Sequence, residues 1–161
     1  MKFLEKDLED IIWDNIQNDE SRWKLAYRGI TPAKYLHRSY RQLSIGNYGV
    51  ADIVTAYRDG GGGLYVTVWE LKRLIIDVNA LIQAARYVKG IESYLSKRIS
   101  DSFYFEVDCV LIGSEVDKGD WVYLNSLLKK VRVFTYQYDI DGISFRENSL
   151  NYSLTNEGFH V

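Results

Sequence analysis

Apolar residues recur along the first stretch of the chain at helical spacing. Phe3, Leu4, Leu8, Ile11, Ile12 and Ile16 gather on one side of a wheel turning by about 100° per residue, so residues 3–17 are expected to form an amphipathic helix. Residues 18–38 are mixed, with turn signals at Asn18-Asp19 and Gly29, and Pro32 suits the opening of a short turn, Pro32-Ala33-Lys34-Tyr35-Leu36. Strand patterns follow at 39–45, 50–58 and 64–71. A second long helix is expected over 77–95, with Asp77 as N-cap and Ala80, Leu81, Ala84, Val88 and Ile91 turned to the core. A buried strand at 105–112 comes next, then a helix at about 117–129 starting near Asp117 or Asp120. A strand at 131–138 leads through the Asp141-Gly142 turn into a short strand at 143–146. The remainder, 147–161, is polar and peripheral. The order α, β, β, β, α, β, α, β, β predicts an α/β fold with a mixed central sheet flanked by helices.

Asp59-Gly60-Gly61-Gly62-Gly63 lies between two strand patterns. A glycine run can cradle phosphate, but no Lys-Ser/Thr and no helix start follow it, so a hairpin loop is the expected reading. If that five-residue loop is symmetric, Arg58 faces Leu64 and paired residue numbers add to the same total along the hairpin. Asp52 then lies directly opposite Glu70, where side chains are about 5 Å apart. Lys72, two residues beyond, points to the same face, and Leu71 points away into the core. A single bulge would break this register.

Bulk composition narrows the classes. A length of 161 residues suits one domain, 1–161, with one sizeable core, and 47% hydrophobic and 14% aromatic content exclude disorder. No run of 18 apolar residues suggests a membrane span. Met1-Lys2-Phe3-Leu4-Glu5-Lys6-Asp7 turns acidic at once, without the core of a signal peptide. Cys109, the only cysteine, reads as a small buried residue and fits a reducing, cytoplasmic setting. His37 and His160 are far apart, so no Cys/His cluster for zinc is evident.

The net charge of −2 hides an uneven distribution. Residues 1–20 carry seven acids and two lysines, whereas residues 21–51 carry six bases (Arg22, Lys24, Arg28, Lys34, Arg38, Arg41) and no acid. Trp23, Tyr27, Tyr35, Tyr40 and Tyr48 interleave with those bases. Such a stretch can neutralise phosphates and stack on bases. It fits equally well a solvated surface that balances the acidic first helix.

Asp52, Glu70 and Lys72 place charge where charge is expensive, on segments that otherwise read as buried strand. Two adjacent carboxylates repel unless a cation lies between them. Hard oxygen ligands without His or Cys nearby suggest Mg²⁺ or Mn²⁺, and two carboxylates with a lysine are what metal-assisted phosphodiester hydrolysis requires. The alternative is a structural Asp–Lys–Glu ion-pair network at the end of the sheet.

Gly49-Val50-Ala51-Asp52, then Glu70-Leu71-Lys72, then Gln83-Ala84-Ala85-Arg86-Tyr87 resembles the PD-(D/E)xK phosphodiesterase superfamily. The likeness is greatest to nucleases with a G-x-x-D … E-x-K … Q-x-x-x-Y signature, such as RecB-like and NucS-type endonucleases. It covers about residues 1–112, the αβββαβ core of a restriction-endonuclease-like fold, with 113–161 as an αββ extension. Val50-Ala51 stands where the eponymous proline would precede Asp52. The resemblance implies a DNA nuclease with Asp52, Glu70 and the backbone of Leu71 as metal ligands and Lys72 as catalytic lysine. It implies supporting roles for Gln83 and Tyr87, which lie four apart on one helix face. It also implies a glutamate from the first helix. Glu5 is preferred because the wheel puts it nearer the core side, and Glu9 is the alternative. Arg41, which with Gln42 precedes the Asp52 strand, is expected to contact phosphate, as are Arg73 and Arg86. A homodimer would supply two sites for the two strands of a duplex.

Overall fold

A computed structural model describes residues 3–32, 36–120 and 131–148. Six strands form a mixed sheet in the order β1-β2-β3-β5-β7-β8. They are β1 (Arg38–Ser44), β2 (Val50–Arg58), β3 (Leu64–Leu71), β5 (Phe105–Gly113), β7 (Val131–Asp139) and β8 (Gly142–Glu147). The pairs β1/β2, β2/β3 and β7/β8 are antiparallel, and β3/β5 and β5/β7 are parallel. Two helices, α1 (Glu5–Ile16) and α2 (Asp19–Tyr27), pack on one another and on one face. The long helix α3 (Val78–Ser96) covers the other face and makes the crossover that a parallel β3/β5 pair needs. With α2 set aside, α1-β1-β2-β3-α3-β5 is the expected αβββαβ order.

Two apolar layers hold the sheet. On the first, Leu8, Ile12 and Ile16 of α1 are fully buried against Ile53, Trp69, Leu71, Val110, Ile112 and Phe134. On the second, Ala80, Leu81, Ala84, Tyr87 and Ile91 of α3 meet Val54, Val66, Val68, Val107, Cys109 and Leu111. The central strands β3 and β5 are buried on both faces, so their sequences read as near-continuous apolar runs. Cys109 is buried, as expected, and burial pushes its thiol up to about 12, so it stays protonated. None of the described helices is long and apolar enough to cross a membrane.

Helix α3 starts as the pattern predicts: Asp77 Oδ1 accepts from Ala80 N at 2.9 Å, and Asp120 Oδ2 accepts from Val78 N at 3.0 Å. The glycine run is a hairpin loop, closed by Asp59 N donating to Gly63 O at 3.0 Å and by Asp59 Oδ1 accepting from Gly61 and Gly63.

Four elements depart from expectation. Residues 18–38 contain the helix α2, not only turns: the Asn18-Asp19 turn signal is its N-cap, with Asn18 Oδ1 accepting from Ser21 N at 2.9 Å. Only Leu25 of α2 is buried, so the helix leaves no apolar stripe in the sequence. Helix α1 begins at Glu5, and Phe3 before it stacks near Tyr136 and Tyr138. A small parallel pair, β4 (Ile75–Ile76) with β6 (Glu115–Val116), extends beyond the ends of β3 and β5. Two-residue strands carry no period. Most of the expected helix at 117–129, part of the Pro32–Leu36 turn and nearly all of the 147–161 tail lie outside the described residues.

Leu8 fills the α1–sheet layer, so Leu8→Ala should lower unfolding free energy by about 2–5 kcal/mol in urea titrations. Leu4→Ala, at a position 45% exposed, should change it by less than about 0.5 kcal/mol.

Candidate functional site

The hairpin keeps the symmetric register that its loop predicts, from Arg58↔Leu64 to Ile53↔Trp69, with no bulge between. Pairing ends one step short of Asp52 and Glu70. There Asp52 turns its carboxylate onto the next strand, and Oδ2 accepts from Leu71 N at 2.9 Å. Leu71 itself is fully buried in the layer under α1. Lys72 N donates to Ile112 O at 2.8 Å, which continues the β3–β5 pairing and fixes where Lys72 leaves the sheet.

Glu70 is the most enclosed charge among the described residues, 1% exposed. Lys72 Nζ donates to its Oε1 at 2.7 Å and to Gln83 Oε1 at 3.2 Å. Gln83 Nε2 donates to the Tyr87 hydroxyl at 2.7 Å. Glu70, Lys72, Gln83 and Tyr87 therefore form one chain of hydrogen bonds from sheet to α3. Glu70 Oε2 is buried and has no partner among the described residues. Gly49 belongs to the same packing: its φ is +115°, and a Cβ there would sit 2.9 Å from the Tyr87 ring. A side chain at Gly49 would both strain the backbone and displace Tyr87.

Electrostatics follow from burial. Desolvation, then the neighbouring Asp52 charge, push Glu70 from 4.5 to about 7, and the bond from Lys72 only partly opposes them. Burial also raises Asp52, against the Leu71 N–H bond that favours its charged form. Burial pulls Lys72 down, but its bond to Glu70 and the nearby carboxylates outweigh that and leave the ammonium above its ordinary value. Two raised carboxylates, Asp52 adding to the burden on Glu70, and a Glu70 oxygen with no partner among the described residues suit a hard cation. No three His, Cys, Asp or Glu side chains among the described residues are grouped to hold a metal by themselves. Mg²⁺ does not need them, since it commonly takes one or two carboxylates and completes its shell with water and phosphate.

Both α1 glutamates approach this end of the sheet, in different places. Glu5 Oε2 accepts from Arg73 N at 3.1 Å and adds to the field at Glu70 and Lys72. Glu9 faces Asp52 through Gln42, whose Nε2 donates to Glu9 Oε2 at 2.9 Å. The wheel expectation that Glu5 lies nearer the core is overturned: Glu5 is exposed, and the Glu9 side chain is 12% exposed. Strand β1 covers that flank of α1 through Arg41 and Gln42, and a wheel drawn on one helix contains no β1.

Arg41 is tied to Glu9 and Asp10 by ion pairs. Arg22 pairs with Asp19, and Lys24 with Glu20 at 3.8 Å. Three of the six bases of 21–51 thus answer acids of 1–20. Trp23 and Tyr27 are 74% and 96% exposed. Arg73 and Arg86 pair with no carboxylate among the described residues, and Arg86 is exposed on α3 three residues past Gln83. Gln42 carries no sequence signal for its place, since nothing in the chain marks a glutamine that reaches two carboxylates.

A carboxyl whose folded-state value is raised binds its proton more tightly when folded, so stability falls as pH rises from 4.5 to about 7. Glu70→Gln should remove that fall. In chelator, the variant should gain on the parent between pH 4 and pH 8 by up to roughly 3 kcal/mol in urea unfolding. Parallel pH profiles would contradict the burial of an ionisable Glu70.

No protein-family model matches the chain, and no curated protein matches it. Three solved structures are similar to it. A repair endonuclease from Pyrococcus abyssi has a TM-score of 0.48 and 19% identity over 83% of this chain and 46% of that one. A complex of EndoMS with dsDNA gives 0.39 and 23% over 60% and 35%, and EndoMS in apo form gives 0.43 and 16% over 84% and 48%. This chain spans less than half the length of each.

Proposed function

We propose that this chain is a metal-dependent DNA nuclease, an endonuclease that hydrolyses phosphodiester bonds with water as the nucleophile. The observation that supports it most is the buried Glu70 carboxylate, one oxygen held by Lys72 and the other without a partner among the described residues, beside Asp52. Uncompensated carboxylates in such a place are costly, and a shared cation removes the cost. Asp52, Glu70, the Leu71 carbonyl and Glu5, with Glu9 as alternative, are all hard oxygen donors, suited to Mg²⁺ or Mn²⁺. When bound, the ion would lower the pKa of a water and offset negative charge gathering around phosphorus.

The chain's own groups do the rest. Asp52 is anchored through Oδ2 on Leu71 N and offers Oδ1. Lys72 remains protonated, as its raised pKa requires, and donates to the attacking water or to a phosphate oxygen in the transition state. Gln83 steadies Lys72 from α3, and Tyr87 steadies Gln83. Arg73 and Arg86 would take backbone phosphates; Arg41 would have to leave Glu9 or Asp10 to do so. The choice of DNA follows the sequence resemblance.

A second reading, a nuclease fold that binds nucleic acid without cutting it, draws on the 2.7 Å Lys72–Glu70 pair, which offsets part of the Glu70 charge without metal. Cleavage assays on supercoiled, linear duplex and single-stranded DNA and on RNA, with Mg²⁺, Mn²⁺ or chelator, separate the two. Metal-dependent DNA cleavage is expected. Lys72→Ala should lower it by at least about 100-fold while far-UV circular dichroism stays unchanged. Full activity in that variant would remove Lys72 from the chemistry. Cleavage of RNA alone would make this an RNA-processing enzyme, and no cleavage together with no Mn²⁺ binding would leave the binding module.

A further inference from the structure

Gln42 is the one non-glycine residue among those described with a left-handed backbone, φ +49°. A residue with a Cβ adopts this conformation only where its surroundings hold it there. Gln42 also lies at a gap in the pairing of its strand, which is otherwise continuous and in register. The β1–β2 pairs run from Arg38↔Ala56 to Arg41↔Ile53 and resume at Leu43↔Ala51. The skipped position opposite Gln42 is Asp52.

The side chain explains what the missing pair achieves. Gln42 Nε2 donates to Glu9 Oε2 at 2.9 Å and reaches Asp52 Oδ1 at 3.4 Å. One amide nitrogen carries two N–H groups, one for each carboxylate. Glu9 is itself held, because Arg41 Nε donates to its other oxygen while Arg41 also binds Asp10. The amide is thus fixed from α1, through Arg41 and Glu9, before it reaches Asp52. Asp52 is then contacted on both oxygens, Oδ2 by Leu71 N and Oδ1 by Gln42. The donor is neutral. An arginine or lysine in its place would cancel the charge of Asp52, whereas an amide orients the carboxylate and leaves that charge for a cation.

We propose that Gln42 is a positioning residue: its left-handed backbone turns the side chain inward so that the amide fixes the Asp52 carboxylate for divalent-cation binding. The inference rests on the metal-site reading above. It extends that site to the α1–β1 flank and gives Glu9 a role as the amide's anchor.

The test is direct titration of the intact chain with Mn²⁺, without nucleic acid, following free Mn²⁺ by electron paramagnetic resonance. Gln42→Gly removes the amide and relieves the left-handed strain at once. It should keep or raise the thermal midpoint, yet weaken Mn²⁺ binding by about 10-fold or more, as loss of a partner behind a metal ligand does. Gln42→Asn tolerates the same backbone but is one methylene too short, and should bind Mn²⁺ as weakly as Gln42→Gly. Glu70→Gln serves as the control. If the parent binds Mn²⁺, Glu70→Gln does not, and Gln42→Gly binds like the parent, the positioning role falls and the metal site stands. If the parent binds no Mn²⁺, the metal-site reading falls and this inference with it. A joint fall of thermal midpoint and affinity in Gln42→Gly would mean that the residue only supports the fold, which would also overturn it.

Discussion

The geometry of the candidate site hangs on a single hydrogen bond, from Leu71 N to Asp52 Oδ2. It forms where the β2–β3 ladder has just ended, so it uses a backbone donor that the hairpin leaves over. It joins the start of β2 to the end of β3 and sets Asp52 beside Glu70. Alternation along β3 then separates the neighbours: Glu70 and Lys72 turn towards Gln83 on α3, and Leu71 turns under α1. A carboxylate close to a second buried carboxylate is unfavourable in isolation. The sheet tolerates it because Lys72 offsets part of the charge and the two packed layers hold the strands in place.

Around that point the protein collects more acid than base. Glu70 feels Asp52, Glu5 of α1 adds to both, and Glu9 adds to Asp52. Among the described residues Lys72 is the one cation bonded to Glu70. An excess of negative charge inside a folded domain opposes folding, and selection normally removes it where nothing binds there. The Gln42 amide fits the same logic, since it orders two carboxylates without reducing their charge.

The charge asymmetry of the N-terminal third has a largely structural explanation. Arg22, Lys24 and Arg41 pair with Asp19, Glu20, Glu9 and Asp10, so the basic stretch in large part balances the acidic one next to it. The exposed Lys24–Glu20 pair contributes little to stability. Arg41 matters through geometry, because it pins the face of Glu9 that Gln42 needs.

Much of this was legible in the chain itself. Local rules dictated the hairpin: a five-residue glycine loop between two alternating runs leaves one symmetric register, and that register placed Asp52, Glu70 and Lys72 together. The period of 3.6 located α1 and α3 and put Gln83 above Tyr87, because those helices bury one face. What lay hidden had no local signature. Helix α2 buries a single residue, and β4 and β6 are too short to show a period. The ordering of Glu5 and Glu9 and the partners of Arg41 depend on the side chains of β1 reaching α1, a contact between residues more than thirty apart. The left-handed Gln42 is the extreme case. Glutamine has no preference for that backbone, and only the tertiary packing of Arg41, Glu9 and Asp52 around it holds the residue in that conformation.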